Sequence, residues 1–308
     1  QSKKPQPIFY KITSKKQAEI PYTVKEQDAI VLKPATCKEK YIENLIALKE
    51  HIQQGNIYEI NYCIEFSAQE VNIDPIYVFF KLSELSKAPY SSLVKLNDEF
   101  IISASPELFL KKEGNTLYTK PIKGTARRGK TKEEDEILKN TLYNNLKERT
   151  ENVMAVDVAR NDLSQIAKKG SVHVNKLYNI ETFESVHQMV STVSCELKEN
   201  TTFEKIIEAT FPMASMTGAP KLRAMQLIDE FEDFERKNYS GAMGVIDENE
   251  DFTLAVNIRS IFYNQKTKRL SIAVGSAITY LCEPEKEYDE CLLKAKALLK
   301  ALGAEIKF

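Results

Sequence analysis

Between residues 57 and 68 the chain alternates. Tyr58, Ile60, Tyr62, Ile64 and Phe66 fall on one side of an extended segment, and Glu59, Asn61, Cys63, Glu65 and Ser67 on the other. A two-residue period predicts a strand with one apolar face. Upstream, Tyr41, Ile42, Leu45, Leu48 and Ile52 recur at helical spacing, with a Thr36/Glu39 capping box before them and Gly55 as a stop. Asp74 before Pro75 opens a second helix. Residues 93–105 read as a hairpin about Asn97-Asp98, and residues 107–120 as another turning at Gly114. Helix dominates from 131 to 168, opened by a Thr131/Glu134 capping box. Strands follow near 171–178 and 185–197, then helices over 202–210 and 219–231. A strand-rich stretch over 240–281 precedes a last helix from Pro284 to Leu302. Antiparallel strands in both halves, with helices inserted between them, predict an α+β fold rather than a doubly wound one. Residues 1–36 hold Pro5, Pro7, Pro21 and Pro34 with weak periodicity, so they read as an irregular arm with room for one strand. Residues 37–308 read as one domain.

Composition narrows the classes. The 308 residues carry 43 basic and 44 acidic side chains, so no long-range field draws the chain to nucleic acid or to an anionic membrane. No apolar run approaches the length of a membrane span, and the first residues lack the apolar core of a signal peptide. Five cysteines (37, 63, 195, 282, 291) without a C-x-x-C spacing predict reduced thiols and a cytoplasmic protein. Neither a G-x-G-x-x-G nor a Walker A sequence is present.

The candidate chemistry lies in a few segments. Glu148 and Glu151 stand three apart on one predicted helix, and Glu287 and Glu290 on another. Each pair is either a solvated face or half of a carboxylate cluster around a divalent cation. With only oxygen ligands on offer, that cation is Mg²⁺ before Zn²⁺, and the three histidines show no zinc spacing. Arg259, late in an apolar strand, is either paired to a core carboxylate or aimed at an anionic ligand. Gly275, Ser276 and Ala277 let backbone amides approach a ligand. Thr217 and the amides after it, entering a helix, offer an anion site or an ordinary cap. Lys123, in "TKPIKGTARRG", sits in what reads as a tight turn between Pro121 and Gly124, where it is a surface charge, a phosphate clamp or a nucleophile.

In order, "PIKGT", "ENVMAVDVARND", "FPMASMTGAPKLRAMQLIDEFE", "SGAMGVID", "LAVNIRS" and "EPEKEYDE" resemble segments of the chorismate-utilising enzymes. That family includes anthranilate synthase component I, aminodeoxychorismate synthase component I, isochorismate synthase and salicylate synthase. The resemblance runs from about residue 37 onward. It implies two antiparallel sheets packed with helices, holding chorismate and Mg²⁺ in a cleft. The lysine of "PIKGT" is the aminodeoxychorismate form, where anthranilate synthases typically carry alanine. It implies a Lys123 nucleophile at C2 of chorismate while the C4 hydroxyl leaves, then ammonia adding at C4. Because only the neutral amine attacks, burial, Mg²⁺ and Arg259 are expected to lower the pKa of Lys123. Glu107, in "ASPELF", becomes the general acid, with its pKa expected to be raised. The resemblance makes Glu151 and Glu290 direct metal ligands and Glu148 and Glu287 an outer pair. Arg259 with the Gly275–Ala277 backbone, Thr217, Gly124 and Thr125 make up the substrate contacts. Glu59 stands where isochorismate and salicylate synthases keep a lysine base. A separate glutamine amidotransferase subunit is implied as the ammonia source. Anthranilate synthase component I remains the nearest alternative, opposed by Lys123, and an inactive chorismate-binding scaffold is the alternative of another class. Gln188 stands where relatives often keep a histidine, and His187 one position earlier faces the other way on a strand.

Overall fold

A computed structural model describes residues 29–184 and 186–308. The predicted arm before residue 29 lies outside the described residues. Within them, β1 (Ile30–Pro34) leads into α1 (Lys38–Gln53), and β2 (Glu59–Ala68) follows. The Asp74 carboxylate accepts from the amides of Ile76 and Tyr77 and so caps α2 (Pro75–Ser86). β3 (Tyr90–Leu96) and β4 (Glu99–Ser105) form a hairpin, as do β5 (Leu108–Glu113) and β6 (Thr116–Thr119), the second turning at Gly114 with φ 57°. Next come β7 (Ile122–Arg127), α3 (Lys132–Asn144), α4 (Leu146–Ile166), β8 (His173–Thr182) and β9 (Val186–Glu196). α5 (Phe203–Thr210) and a single 3₁₀ turn (Ala214–Met216) precede the short β10 (Gly218–Ala219) and α6 (Lys221–Phe231). β11 (Ala242–Ile246), β12 (Phe252–Val256), β13 (Ser260–Asn264) and β14 (Arg269–Ile278) come before α7 (Pro284–Leu302) and β15 (Ala304–Ile306).

Two sheets result. One runs β15-β1-β2-β14-β13-β4-β3 with β10 beside β2, and the other runs β11-β12-β5-β6-β9-β7 with β8 beside β9. Every described pairing is antiparallel except β1 with β15. On the outer face of the first sheet, Ile60, Tyr62 and Ile64 pack against Tyr41 and Leu45 of α1, Leu82 of α2 and Leu298 of α7. Its inner face joins a second core, where Cys63 and Ala273 meet Phe109, Val156, Leu163 and Val193. The fold is the α+β arrangement of antiparallel-rich sheets that the pattern predicts.

Two local expectations change, and one face of β2 takes on a role the pattern left open. Thr36 does not cap α1; its hydroxyl donates to Asp233 at 2.8 Å, and Cys37 takes the cap position without a side-chain bond. The face of β2 opposite its apolar one, with Glu59, Asn61 and Cys63, is buried between the sheets. Lys123 lies within a strand rather than a turn. Gly124, at φ 87°, absorbs a register shift of β7 against β9 between Ile122 and Thr125.

Candidate active site

The site is built where β2, β7, α4 and α7 converge. Lys123 is 8% exposed, and its ammonium donates to the equally buried Glu59 carboxylate at the start of β2. Burial is the largest single influence on Lys123 and pulls its pKa down, but the charges of Glu59, Glu151 and Glu107 outweigh it. The net shift is upward, the reverse of the lowering expected from sequence. The cause is Glu59, whose place opposite β7 the strand pattern could not show. In this state Lys123 is held as an ammonium.

Glu107 sits on the link between β4 and β5, anchored where the Val256 amide donates to its carbonyl at 3.1 Å. Burial pushes its carboxyl up to about 7, against the opposing pull of Ser215, the Lys123 charge and the Ile122 amide. A carboxylic acid with that pKa keeps a proton to give near neutral pH. The shift has the direction that a general acid needs.

Asn145 caps α4 by accepting from the Glu148 amide, placing Glu148 and Glu151 in its first turns. Gly124 approaches this helix so closely that a Cβ there would lie 2.9 Å from Glu148 Oε2. α7 faces α4, and the bridge between them is Lys147, whose ammonium is 2.8 Å from Glu287 and 3.8 Å from Glu151. Burial raises Glu148 and takes Glu151 up to about 7. Burial acts the same way on Glu290, but Lys294, 2.6 Å away, overrides it and the net shift is downward. Among the described residues no three acidic or histidine side chains converge as ligands of one ion. Yet Glu151 Oε1 and Glu287 Oε2 are buried without any hydrogen-bond partner. Orphaned carboxylate oxygens beside a lysine, with no nitrogen or sulfur donor among the four glutamates, fit a hard divalent cation such as Mg²⁺.

The chain bends at Arg259, at φ 53°, and the β13–β14 ladder stops at Ile261–Ile272. Beyond that point β14 pairs only with β2, so Gly275–Ala277 keep one edge without a strand partner among the described pairings. A Cβ on Gly275 would collide with Cys63 Sγ and Asn61 Oδ1, so only glycine fits there. The Gly275 carbonyl accepts from Lys294 at 2.8 Å, and the Ser276 hydroxyl turns away to Tyr41 at 3.0 Å. Sequence left Arg259 with two possible partners. Among the described residues its guanidinium forms no ion pair and reaches only the Lys294 carbonyl, at 3.4 Å.

The remaining candidates are placed less directly. Thr217 is buried, and its hydroxyl donates to the Met213 carbonyl at 3.0 Å instead of facing outward. Its own carbonyl accepts from Asn61, which pins the loop to β2. Thr125 is exposed opposite Gln188 on β9. His187 is buried away from the cluster, held by Asp135 and Thr182 at 2.9 Å each, so it does not stand in for the family histidine. Sequence reasoning missed Lys147, Lys294 and the pairing of Glu59 with Lys123. Lys147 lies four residues before Glu151 and Lys294 four after Glu290, a spacing that marks ion pairs on a helix face.

The arrangement of two antiparallel-rich sheets packed with helices is a fold shared with solved structures. The crystal structure of anthranilate synthase component I from Streptococcus pneumoniae TIGR4 matches at TM-score 0.79 and 31% identity, covering 91% of this chain and 62% of that one. The sequence model of the chorismate binding enzyme family matches residues 4–300, and the chain belongs to that family. It is 39% identical over 255 residues to aminodeoxychorismate synthase component 1 of Bacillus subtilis (strain 168), covering 83% of this chain and 54% of that protein. It is 34% identical over 282 residues to anthranilate synthase component 1 of Acetivibrio thermocellus, covering 90% and 56%. The chain thus spans little more than half the length of these two relatives. Among the described residues no helix is long and apolar enough to cross a membrane.

Proposed function

We propose that this chain aminates chorismate at C4, giving 4-amino-4-deoxychorismate, as the component I activity of an aminodeoxychorismate synthase. The observation that carries the reading is Lys123, buried in ion pair with Glu59 and within electrostatic reach of the buried Glu107, whose pKa burial raises. Glu59 is the near base that takes the ammonium proton. The freed amine forms a bond to C2, the ring double bonds shift, and the C4–O bond breaks as Glu107 gives its proton to the departing hydroxyl, which leaves as water. Ammonia then adds at C4, the double bonds shift back, and the C2–N bond to Lys123 breaks. The extra proton on the new amine returns to Glu107. Arg259 and the backbone of Gly275–Ala277 hold a chorismate carboxylate. Glu151 and Glu290, with Glu148 and Glu287 outside them, would hold Mg²⁺. When bound, that ion would neutralise this acidic wall and the substrate's own negative charge. A separate glutamine amidotransferase chain supplies the ammonia, a reading that rests on the resemblance. The free thiols support a reducing, cytoplasmic setting.

Amination at C2, as in an anthranilate synthase, is favoured by the comparable identity of those relatives and opposed by Lys123. Incubating the chain with chorismate, Mg²⁺ and an ammonium salt separates the two. The 4-amino product is expected, with a protein adduct heavier by chorismate minus water. Lys123→Ala is expected to lose the 4-amino product by about 10³-fold or more and to gain some C2-aminated product. Anthranilate as the main wild-type product, or a Lys123→Ala variant making the 4-amino product at normal rate, would overturn the reading.

A further inference from the structure

One edge of β2 is paired only in pieces. Near its start β10 lies alongside, at Ile60 and Glu59, and near its end β1 pairs at Phe66 and Ser67. Between them, on this edge, the Asn61 amide meets the Thr217 carbonyl, but no described strand serves the Asn61 carbonyl or the Cys63 amide. Two side chains of the α6–β11 connection fill the gap. Arg236 donates through Nη2 to the Asn61 carbonyl at 2.9 Å, and Glu232 accepts from the Cys63 amide at 2.8 Å. The two residues are themselves joined by a double contact, Nη2–Oε1 at 2.5 Å and Nε–Oε2 at 2.7 Å. A guanidinium giving to a carbonyl and a carboxylate taking from an amide two residues on reproduce what a neighbouring strand would offer. The remaining donor, Nη1, reaches the Met216 carbonyl at 2.6 Å, just before Thr217.

We infer that the Arg236–Glu232 pair is a positioning device for the reaction, a side-chain substitute for a missing strand that locks the Met216–Ala219 loop onto β2. The consequence for the site is direct. The residue next to Ala219 in the ladder is Glu59, the partner of Lys123, and the residue next to Cys63 is Gly275, in the carboxylate grip. The loop has no slack at this junction, since a Cβ on Gly218 would collide with the Glu59 carbonyl. A shift of loop against strand therefore moves Glu59 relative to Lys123. Glu232 is almost wholly buried and Arg236 largely so, and removing either alone strands a charge. Paired replacement is the cleaner probe. Lysine at 236 keeps the charge, but it cannot span Asn61, Met216 and both Glu232 oxygens from one ammonium.

This inference rests on the chain acting on chorismate, and its test reads consumption of chorismate whichever product forms. Product identity in the wild type judges the amination reading separately. Arg236→Lys and the double variant Glu232→Leu/Arg236→Met are compared with wild type for kcat, KM, melting temperature and amide exchange over residues 58–63 and 216–221. Expected are folded proteins with faster exchange in those two segments. Their kcat should fall about 10²-fold, the scale of a misplacement of about 1 Å, with KM changed by less than about threefold. Wild-type kcat and KM in both variants would overturn the proposal. So would kcat losses that only follow melting, or faster exchange with unaltered turnover. If the wild type consumes no chorismate, the role of the pair falls with the function.

Discussion

Two clusters of charge sit at opposite ends of β7, one partly exposed and one buried, and they are built differently. At the far end Asp135 accepts from Arg128 through Nε and Nη2, from the Gly129 amide at 2.7 Å and from His187 at 2.9 Å. Arg128 and the Gly129 amide hold its carboxyl well below the ordinary range. Thr182 completes His187 from the other side. No polar atom of that hub is left wanting a partner. At the near end, around Lys123, burial lifts Glu107 and Glu151 to about 7, and Glu151 and Glu287 each keep an orphaned oxygen. The first cluster is what charge looks like when it serves the fold, with the Asp135 carboxylate met by donors and Arg128 by acceptors. The second keeps its groups poorly satisfied, which costs stability and is what the proposed substrate and cation would relieve.

That contrast can be broken experimentally. The largest effect falls on the acidic wall. Glu151→Gln, Glu290→Gln or chelation with EDTA should stop chorismate turnover, while the melting temperature of each variant stays close to that of the metal-free wild type. Full activity in EDTA would remove the metal. Next is Glu107→Gln, which keeps the shape but has no acidic proton. Its kcat should fall roughly 10²–10⁴-fold with chorismate binding nearly intact, measured by calorimetry. An equal loss of binding would make Glu107 a binding residue instead.

The same variant sharpens the comparison through stability. Glu107 has its folded pKa raised from 4.5 to about 7. Its contribution is therefore fully present below pH 4.5 and lost as pH rises through 7. At about 1.4 kcal/mol per unit, the loss is about 3 kcal/mol at pH 8. Glu107→Gln avoids that cost and should melt higher than wild type at pH 8, with the advantage gone below pH 4.5. Smallest in its effect on activity is Asp135→Asn. It should lower the melting temperature and leave kcat near wild type, because the hub touches no reacting group.

How far the residues alone revealed this arrangement depends on the range of the interaction. Helices α2 and α7, the Thr131 cap of α3 and the hairpins at Asn97 and Gly114 are written in local periods, caps and turn residues, and the structure repeats them, though it divides the helical stretch over 131–168 at Asn145. The α+β class follows from their order. Local signals misled where a distant partner won. Thr36 could cap its own helix but meets Asp233 instead. The alternation of β2 shows one apolar face but not that its other face is covered by the second sheet. Lys123 looks like a turn residue because Pro121 and Gly124 flank it, yet β9 draws the segment into a strand with a bulge. Among the site residues, the i, i+3 glutamates and Lys123 stand out by type and spacing. The pairing of Glu59 with Lys123 does not, since two strands from different sheets must first be brought together. That unseen pairing is also why the direction of the Lys123 shift was misjudged.

The parallel pairing of β1 with β15 carries a consequence for how the molecule is made. Of all the described elements β15 is synthesised last, and it lies against the one that is synthesised first. Tyr41 likewise waits for Ser276 across 235 positions. Such long-range closure folds slowly, on the order of milliseconds to seconds. On the ribosome, β1 must hold Ile30 and Leu32 on an open edge until residues 304–306 have been made, a state that invites association with other chains. Chaperone binding to nascent chains should accordingly persist until residues 304–306 have emerged, and activity in refolding should return only with the slowest phase.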